Sequence, residues 1–283
     1  MVDSMPDSAS DSASDSASDS VSVSASDSTV KHSSRKLAVL GAVVAAALVA
    51  GGGLALADSA PRTDKQITNM TTEVANIKAY YGDTVDAAGK HWPSAQSNYA
   101  IQVTGIEAKA EKYLADKAKH DGGGKKAIVL DVDDTSLSTY NYELETTFVY
   151  NPVSNAQYIA TKTMPAVFGM NALAAKATSE GYTVFYITGR PESQRSYTEA
   201  NLGAVGFPAA GAENLFMKNK DNPPAYLPCG ATCTTTQYKS GTRAHIESLG
   251  YRIVANFGDQ ESDLAGGYSA KTFKIPNPMY FIP

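Results

Sequence analysis

The sequence predicts an α/β protein: a mainly parallel sheet with helices on both faces. Two observations carry this. From Lys126 onward short apolar runs alternate with helix-like stripes, and alternation of that kind closes into a parallel sheet covered on both sides. Chemistry-bearing residues also follow three of the apolar runs directly, and in such sheets ligands sit at the carboxyl ends of the strands.

The elements read as follows. Ile67, Met70, Val74, Ile77 and Tyr81 recur at helical spacing, with Thr63 and Gln66 as a capping box. Ile106, Ala110, Tyr113, Leu114 and Ala118 form a second stripe, ended by Gly122-Gly-Gly124. These two, over 64–120, are packing helices and imply no chemistry. Ala127–Leu130 is the first strand of the core, 126–283. Val167, Met170, Leu173, Ala174 and Ala177 make a helix stopped at Gly181, and Val184–Ile187 is the next strand. Ser193–Val205 is a helix closed by Gly206, and Asn214–Met217 is a weaker strand. Ser240–Leu249 is a helix with Gly250 as its stop. Ile253–Phe257 and Thr272–Ile275 complete the sheet.

The N-terminal region stands apart. The chain has 283 residues, and 1–29 hold an Asp-Ser-Ala-Ser repeat with almost nothing to bury, the composition of a disordered segment. Lys31, Arg35 and Lys36 precede an apolar stretch, Leu37 to Leu56, and Ala55-Leu56-Ala57 fits a small-residue cleavage site. Residues 30–57 thus read as a secretory signal peptide, leaving 58–283 as the mature domain. A retained anchor facing outside is the alternative, since the stretch is nearly long enough to span a bilayer. A repeat ahead of a signal is unusual, and translation starting at Val30 would account for it. A precursor mass that retains the repeat would remove that explanation.

Charge excludes one class of partner. The whole chain carries 24 Lys+Arg against 29 Asp+Glu. Without residues 1–57, which hold six Asp and three Lys or Arg, the balance is (24 − 3) − (29 − 6) = −2. No basic surplus argues for nucleic acid. Cys229 and Cys233, four apart, are candidates for a small disulfide in an exported protein, with two free thiols as the alternative. The four histidines show no metal-binding spacing.

The candidate site is assembled from four segments. Asp131-Val-Asp-Asp-Thr135 follows the first core strand, and Asp131 and Asp133 leave the same side if the chain stays extended. Two carboxylates this close repel, and a cation relieves the repulsion. Mg²⁺ suits oxygen ligands and keeps waters that a phosphate can replace. A carboxylate is also a nucleophile in aspartyl-phosphate chemistry, and the second Asp can serve as general acid and base. Alone, the segment equally fits an acidic turn or a Ca²⁺ loop. Thr188 supplies a hydroxyl at a strand end, and Gly189 lets backbone N–H groups approach an anion. Arg190 suits substrate contact or a surface ion pair. Lys239, at the start of a predicted helix, can neutralise charge on nucleophile and phosphate. Asp259 and Asp263 straddle a strand-to-helix turn, one to ligate metal and the other to orient it. Asp134 and Glu261 read as structural or solvated.

Taken together these residues resemble the haloacid dehalogenase (HAD) superfamily of phosphohydrolases. Within it the chain is similar to secreted acid phosphatases related to bacterial class C enzymes and plant vegetative storage proteins. The resemblance is strongest over Ala127–Leu137, Tyr182–Arg195 and Tyr238–Leu264, and Lys271-Thr-Phe-Lys-Ile-Pro-Asn-Pro278 shares it. It implies a HAD-type Rossmann-like sheet, an N-terminal helical segment and a small cap insert at 138–165. It implies Asp131 as nucleophile, Asp133 as general acid/base, Thr188 holding a phosphoryl oxygen and Lys239 stabilising charge. Mg²⁺ would sit on the carboxylates of Asp131 and Asp259 and the backbone carbonyl of Asp133, with Asp263 supporting. The expected activity is hydrolysis of small phosphomonoesters, nucleotides among the candidates, outside the cell. Plant storage relatives often lack the nucleophilic Asp, which this chain keeps; Asp134 stands where Glu is common. The alternatives are a catalytically weak storage or surface-binding protein on the same fold, or a phosphotransferase. Tyr140, Tyr142, Phe148, Tyr150 and Tyr158 of the insert either stack on a leaving group or form the insert's own core.

Overall fold

A computed structural model describes residues 61, 63–120 and 123–282. The expected disordered segment and signal peptide lie outside the described residues. No helix among the described residues is long and apolar enough to cross a membrane.

Five strands form one parallel sheet in the order β5-β4-β3-β6-β7. They are β3 (Lys125–Leu130), β4 (Tyr182–Pro191), β5 (Leu215–Lys218), β6 (Tyr251–Gly258) and β7 (Thr272–Lys274). The two-residue strands β1 (Thr84–Val85) and β2 (His91–Trp92) pair separately. Alternation along β3 sorts the two faces. Ile128 and Leu130 join a core with Leu114 of α2 (Asn98–His120) and Leu173 and Ala174 of α5 (Met170–Ser179). Leu202 of α6 (Arg195–Ala204) belongs to the same core. Ala127 and Val129 point the other way and pack with Tyr238 and Ile246 of α7 (Thr235–Ser248). A short helix, α8 (Glu261–Leu264), follows β6.

Two boundaries differ from the sequence reading. Thr63 and Gln66 do form a reciprocal cap, but it closes a single 3₁₀ turn, Asp64–Gln66. The first helix, α1 (Met70–Tyr81), starts later because Asn69 caps it, accepting from the Thr72 N–H at 3.2 Å. Ile67 and Met70 are exposed rather than part of a buried stripe. At the other end of the chain, α7 begins five residues before the expected Ser240, because Thr234 accepts from Gln237 N–H and opens a capping box. Lys239 therefore stands one turn inside its helix, not at its opening.

The insert between β3 and α5 carries α3 (Tyr140–Glu145) and α4 (Pro152–Thr161). Its tyrosines divide by role. Tyr142 stacks on Tyr158 within the insert, ring centroids 5.3 Å apart. Tyr140 stacks on Tyr81 at 4.4 Å, and Tyr81 on Tyr99 at 4.2 Å, so three rings in series join α3, α1 and α2. Phe148 and Tyr150 instead line a cavity at the sheet edge. In the segment that connects β5 to α7, Cys229 and Cys233 form a disulfide with Cα atoms 4.9 Å apart.

The middle ring is fully buried, and its hydroxyl has no hydrogen-bond partner among the described residues. Tyr81→Ala should therefore cost about 3–5 kcal/mol in urea unfolding, the range for deleting a buried aromatic ring. Tyr81→Phe keeps the stacking and should change stability by less than about 1 kcal/mol.

Candidate active site

The parallel register brings the carboxyl ends of β3, β4 and β6 side by side, and the four sequence segments meet there. Asp131 directly follows β3, and its N–H donates to Phe257 O at 3.0 Å. Asp259 directly follows β6. Carboxylate oxygens of Asp131, Asp259 and Asp263 lie within 4.8 Å of one another, all buried. Lys239 reaches them from α7, donating to Asp131 Oδ1 at 2.5 Å and to Asp263 Oδ1 at 2.6 Å. Asp131 Oδ2 receives no hydrogen bond among the described residues. The Asp133 side chain stands outside the three-carboxylate cluster.

Electrostatics follow from this packing. Burial pushes the Asp131 carboxyl well above the usual range, the Lys239 ammonium opposes the rise, and the other carboxylates add to it. Burial likewise raises Asp259, with Asp263 as the next cause. For Lys239, burial works against the charge, but Asp131 and Asp263 outweigh it and hold the ammonium protonated. Three carboxylates against one bonded ammonium leave net negative charge in a buried oxygen-rich cluster. That donor set fits a hard divalent cation.

Each carboxylate is held by identifiable partners. Asp259 accepts from Thr135 Oγ1 at 3.1 Å, Gln260 Nε2 at 2.7 Å and Asn277 Nδ2 at 2.8 Å. Asp263 Oδ2 accepts from the Gln260 N–H at 2.9 Å. Ser136 Oγ donates to Asp131 O at 2.6 Å, fixing the turn. Arg243, fully buried, donates to the carbonyls of Asp263 and Gly267 at 2.6 and 2.8 Å and also to that of Ala265, which pins the loop after α8. Asp134 is structural, as read, but buried rather than solvated. It adopts φ +52° and accepts from the Thr139 N–H at 2.9 Å and the Tyr280 hydroxyl at 2.8 Å. Glu261 is exposed.

Two expectations are corrected. Arg190 makes a buried ion pair rather than a surface one, and it also lines the cavity. It is 4% exposed and grips Asp133 with Nε at 3.0 Å from Oδ2 and Nη2 at 2.7 Å from Oδ1. Nη1 donates to Thr198 Oγ1 at 2.9 Å, so the guanidinium is committed on both sides. Thr188 lies inside β4, fully buried, and is absent from the cavity lining, while Gly189 is present. Its Oγ1 accepts from the Arg190 N–H at 3.1 Å, which ties the strand end into a tight loop.

The cavity measures about 380 Å³. Asp131, Asp133, Lys239, Asp259 and Asp263 line one end. Phe148, Tyr150 and Glu143 of the insert, Lys218 at the end of β5, and Tyr280 to Ile282 contribute to the rest. Burial, and then the Asp133 carboxylate, push Glu143 up to about 7. Sequence reading missed Thr135, Arg243, Gln260, Asn277 and Glu143. Thr135, Arg243, Gln260 and Asn277 stood in segments noted for the resemblance but were given no role there, and Glu143 lay in the insert without a local pattern.

Gly258 permits the closest approach in the site. A Cβ there would lie 2.3 Å from the Asp263 Cβ. Gly258→Ala should displace Asp263 and lower the urea midpoint by the equivalent of about 1–3 kcal/mol, as overpacking does. An unchanged midpoint would show that the turn yields freely.

Comparison with known proteins agrees with this fold. The family model of HAD superfamily subfamily IIIB (acid phosphatase) matches residues 54–283. Acid phosphatase 1 of Solanum lycopersicum is 34% identical over 65% of this chain and 69% of its own length. The Stem 28 kDa glycoprotein of Glycine max is 30% identical over 56% of this chain, which spans 61% of that protein. Vegetative storage protein 1 of Arabidopsis thaliana is 28% identical over 77% of this chain and 74% of its own length. The class C acid phosphatase of Bacillus anthracis, solved with tungstate bound, shares the fold with a TM-score of 0.54 at 21% identity, over 75% of this chain and 87% of its own. The chain belongs to HAD superfamily subfamily IIIB, the acid phosphatases, and is by that membership a phosphomonoester hydrolase.

Proposed function

We propose that this protein is an exported, Mg²⁺-dependent acid phosphatase that hydrolyses small phosphomonoesters through an aspartyl-phosphate on Asp131. The observation that carries the reading is Asp131 itself. One of its oxygens is fixed by Lys239, the other accepts no hydrogen bond, and the residue opens on a cavity beside two further carboxylates.

Mg²⁺ on the carboxylates of Asp131 and Asp259 and the backbone carbonyl of Asp133, with Asp263 supporting, would shield the repulsion between nucleophile and phosphate. The chain's own residues supply the remaining steps. An Asp131 carboxylate oxygen attacks phosphorus and the bond to the ester oxygen breaks. Asp133, with 28% of its side chain accessible, gives its proton to that oxygen, and the alcohol leaves. Asp133 then takes a proton from water, whose oxygen attacks phosphorus. The Asp131–phosphorus bond breaks and inorganic phosphate is released. Lys239 neutralises charge on Asp131 and the phosphoryl group throughout. The Gly189 backbone holds phosphoryl oxygens, and the buried Thr188 hydroxyl braces that loop by accepting from the Arg190 N–H. Arg190 is a positioning residue: its two-point grip sets the plane of the Asp133 carboxylate. The Cys229–Cys233 disulfide supports an oxidising destination outside the cell.

The matches to storage and stem proteins keep a second reading in view, the same fold without turnover. Hydrolysis of p-nitrophenyl phosphate with Mg²⁺, with EDTA, and by Asp131→Asn decides between them. Metal-dependent activity lost in the variant is expected. A folded protein without turnover at any pH from roughly 4 to 8, the range of a carboxylate acid/base, would favour the storage reading.

Arg190→Lys keeps the charge but loses the planar fork. It should lower kcat about 10–100-fold, a large part of what general acid–base catalysis contributes, with a smaller change in KM. A KM effect that exceeds the kcat effect would return Arg190 to direct substrate binding.

A further inference from the structure

Among the described residues, Glu143 is the one carboxylate lining the cavity whose side chain has no partner. Asp131 and Asp263 share Lys239, Asp133 has Arg190, and Asp259 has Thr135, Gln260 and Asn277. The Glu143 side chain makes no hydrogen bond and no ion pair among the described residues. Yet the residue is only 7% exposed, and it faces the cavity. Its backbone, by contrast, is fully engaged. The N–H donates to Thr139 O at 3.1 Å, and the carbonyl accepts from the Phe148 N–H at 2.7 Å. The second of these bonds fixes Phe148, at φ +60°, in the turn after α3, and both residues line the cavity. A carboxylate removed from water and given no donor is unfavourable unless a counter-charge arrives.

We propose that Glu143, with the rings of Phe148 and Tyr150, forms a subsite for a cationic leaving group, so that amine-bearing phosphomonoesters, the aminoalkyl phosphates, are preferred substrates. The inference rests on the proposed function, because the role of Asp133 orients it. If Asp133 protonates the ester oxygen, the leaving group lies on its side of the cavity, and Glu143 is close enough to Asp133 to feel its charge. The leaving group then meets Glu143 within a few atoms of the bridging oxygen. An ammonium there gains a carboxylate and the faces of two aromatic rings. An anionic group there would meet Glu143 and Asp133 together.

The test compares charged substrates with neutral isosteres of the same shape. Phosphocholine is set against 3,3-dimethylbutyl phosphate, and O-phosphoethanolamine against propyl phosphate, with kcat/KM measured for each. The cationic member of each pair should be preferred about 10-fold or more, the usual worth of a charged contact away from water. In Glu143→Gln, which keeps the shape, the preference should fall toward unity. Equal kcat/KM within each pair in the wild-type protein overturns the inference, and so does a preference unchanged by the substitution. p-Nitrophenyl phosphate is run in parallel, so that loss of the phosphatase reading shows itself separately. A second arm needs no turnover: calorimetric binding of phosphocholine and 3,3-dimethylbutyl phosphate to Asp131→Asn with Mg²⁺, and to the same protein carrying Glu143→Gln. Tighter binding of phosphocholine that disappears in the second protein supports the subsite, and equal binding to the first removes it.

Discussion

The ammonium of Lys239, held between Asp131 and Asp263, is the interaction on which the rest of the site depends. It is 4% exposed and ties together three parts of the chain: the turn after β3, the helix α7 and the short helix α8. A buried ion pair of this kind adds little net stability over an apolar replacement, because both partners lose their hydration. Its value is positional. With the lysine absent, three carboxylates would sit within 4.8 Å of one another with no cation bonded to them, and the strand ends would be driven apart. With it present, one Asp131 oxygen is fixed and the other is left open.

The surrounding structure is organised to keep that geometry. The turn after β6 must let Asp263 come close, and glycine at 258 removes the side chain that would block it. Arg243 then fixes the loop from inside by donating to the backbone carbonyls of Asp263, Ala265 and Gly267, so the loop cannot relax away from Lys239. Asn256 adds a bond from Nδ2 to Asp263 O at 3.0 Å. On the other side, Ser136 and the Tyr280 hydroxyl brace the turn that carries Asp131 and Asp133. Such supporting polar groups decide whether a charged constellation is held to fractions of an ångström.

What the sequence could show depended on whether a residue's partner lay nearby in the chain. Strand-then-carboxylate placement at Asp131 and Asp259 was legible, because a parallel sheet puts strand ends together whatever the loops do. The stripe of Leu114 and Ala110 was legible for the same reason: helical periodicity is local. Arg190 was not, because its partner Asp133 lies 57 residues away and nothing in Thr-Gly-Arg distinguishes a buried fork from a surface pair. Arg243 and Gln260 drew no reading from the sequence, because their partners are fixed only when the tertiary fold buries them. The insert's aromatics illustrate the limit well. Spacing could not tell that Tyr140 would stack into the N-terminal helices while Phe148 and Tyr150 faced the cavity.

This division between core and insert has a chemical consequence. The clustered carboxylates Asp131, Asp259 and Asp263 stand at the sheet edge, where strand ends, a glycine turn and the buried cations Lys239 and Arg243 fix positions closely. Glu143, Phe148 and Tyr150, which face the remaining volume, come from α3 and the loop after it. The two regions join at Asp134, whose carboxylate accepts from the Thr139 N–H just before α3 and from Tyr280 near the C-terminus. Its buried acceptor oxygens thus set the angle at which the insert leaves the core. A change in the insert can then reshape that part of the cavity without moving Asp131, whereas a change at Asp134 would disturb both together.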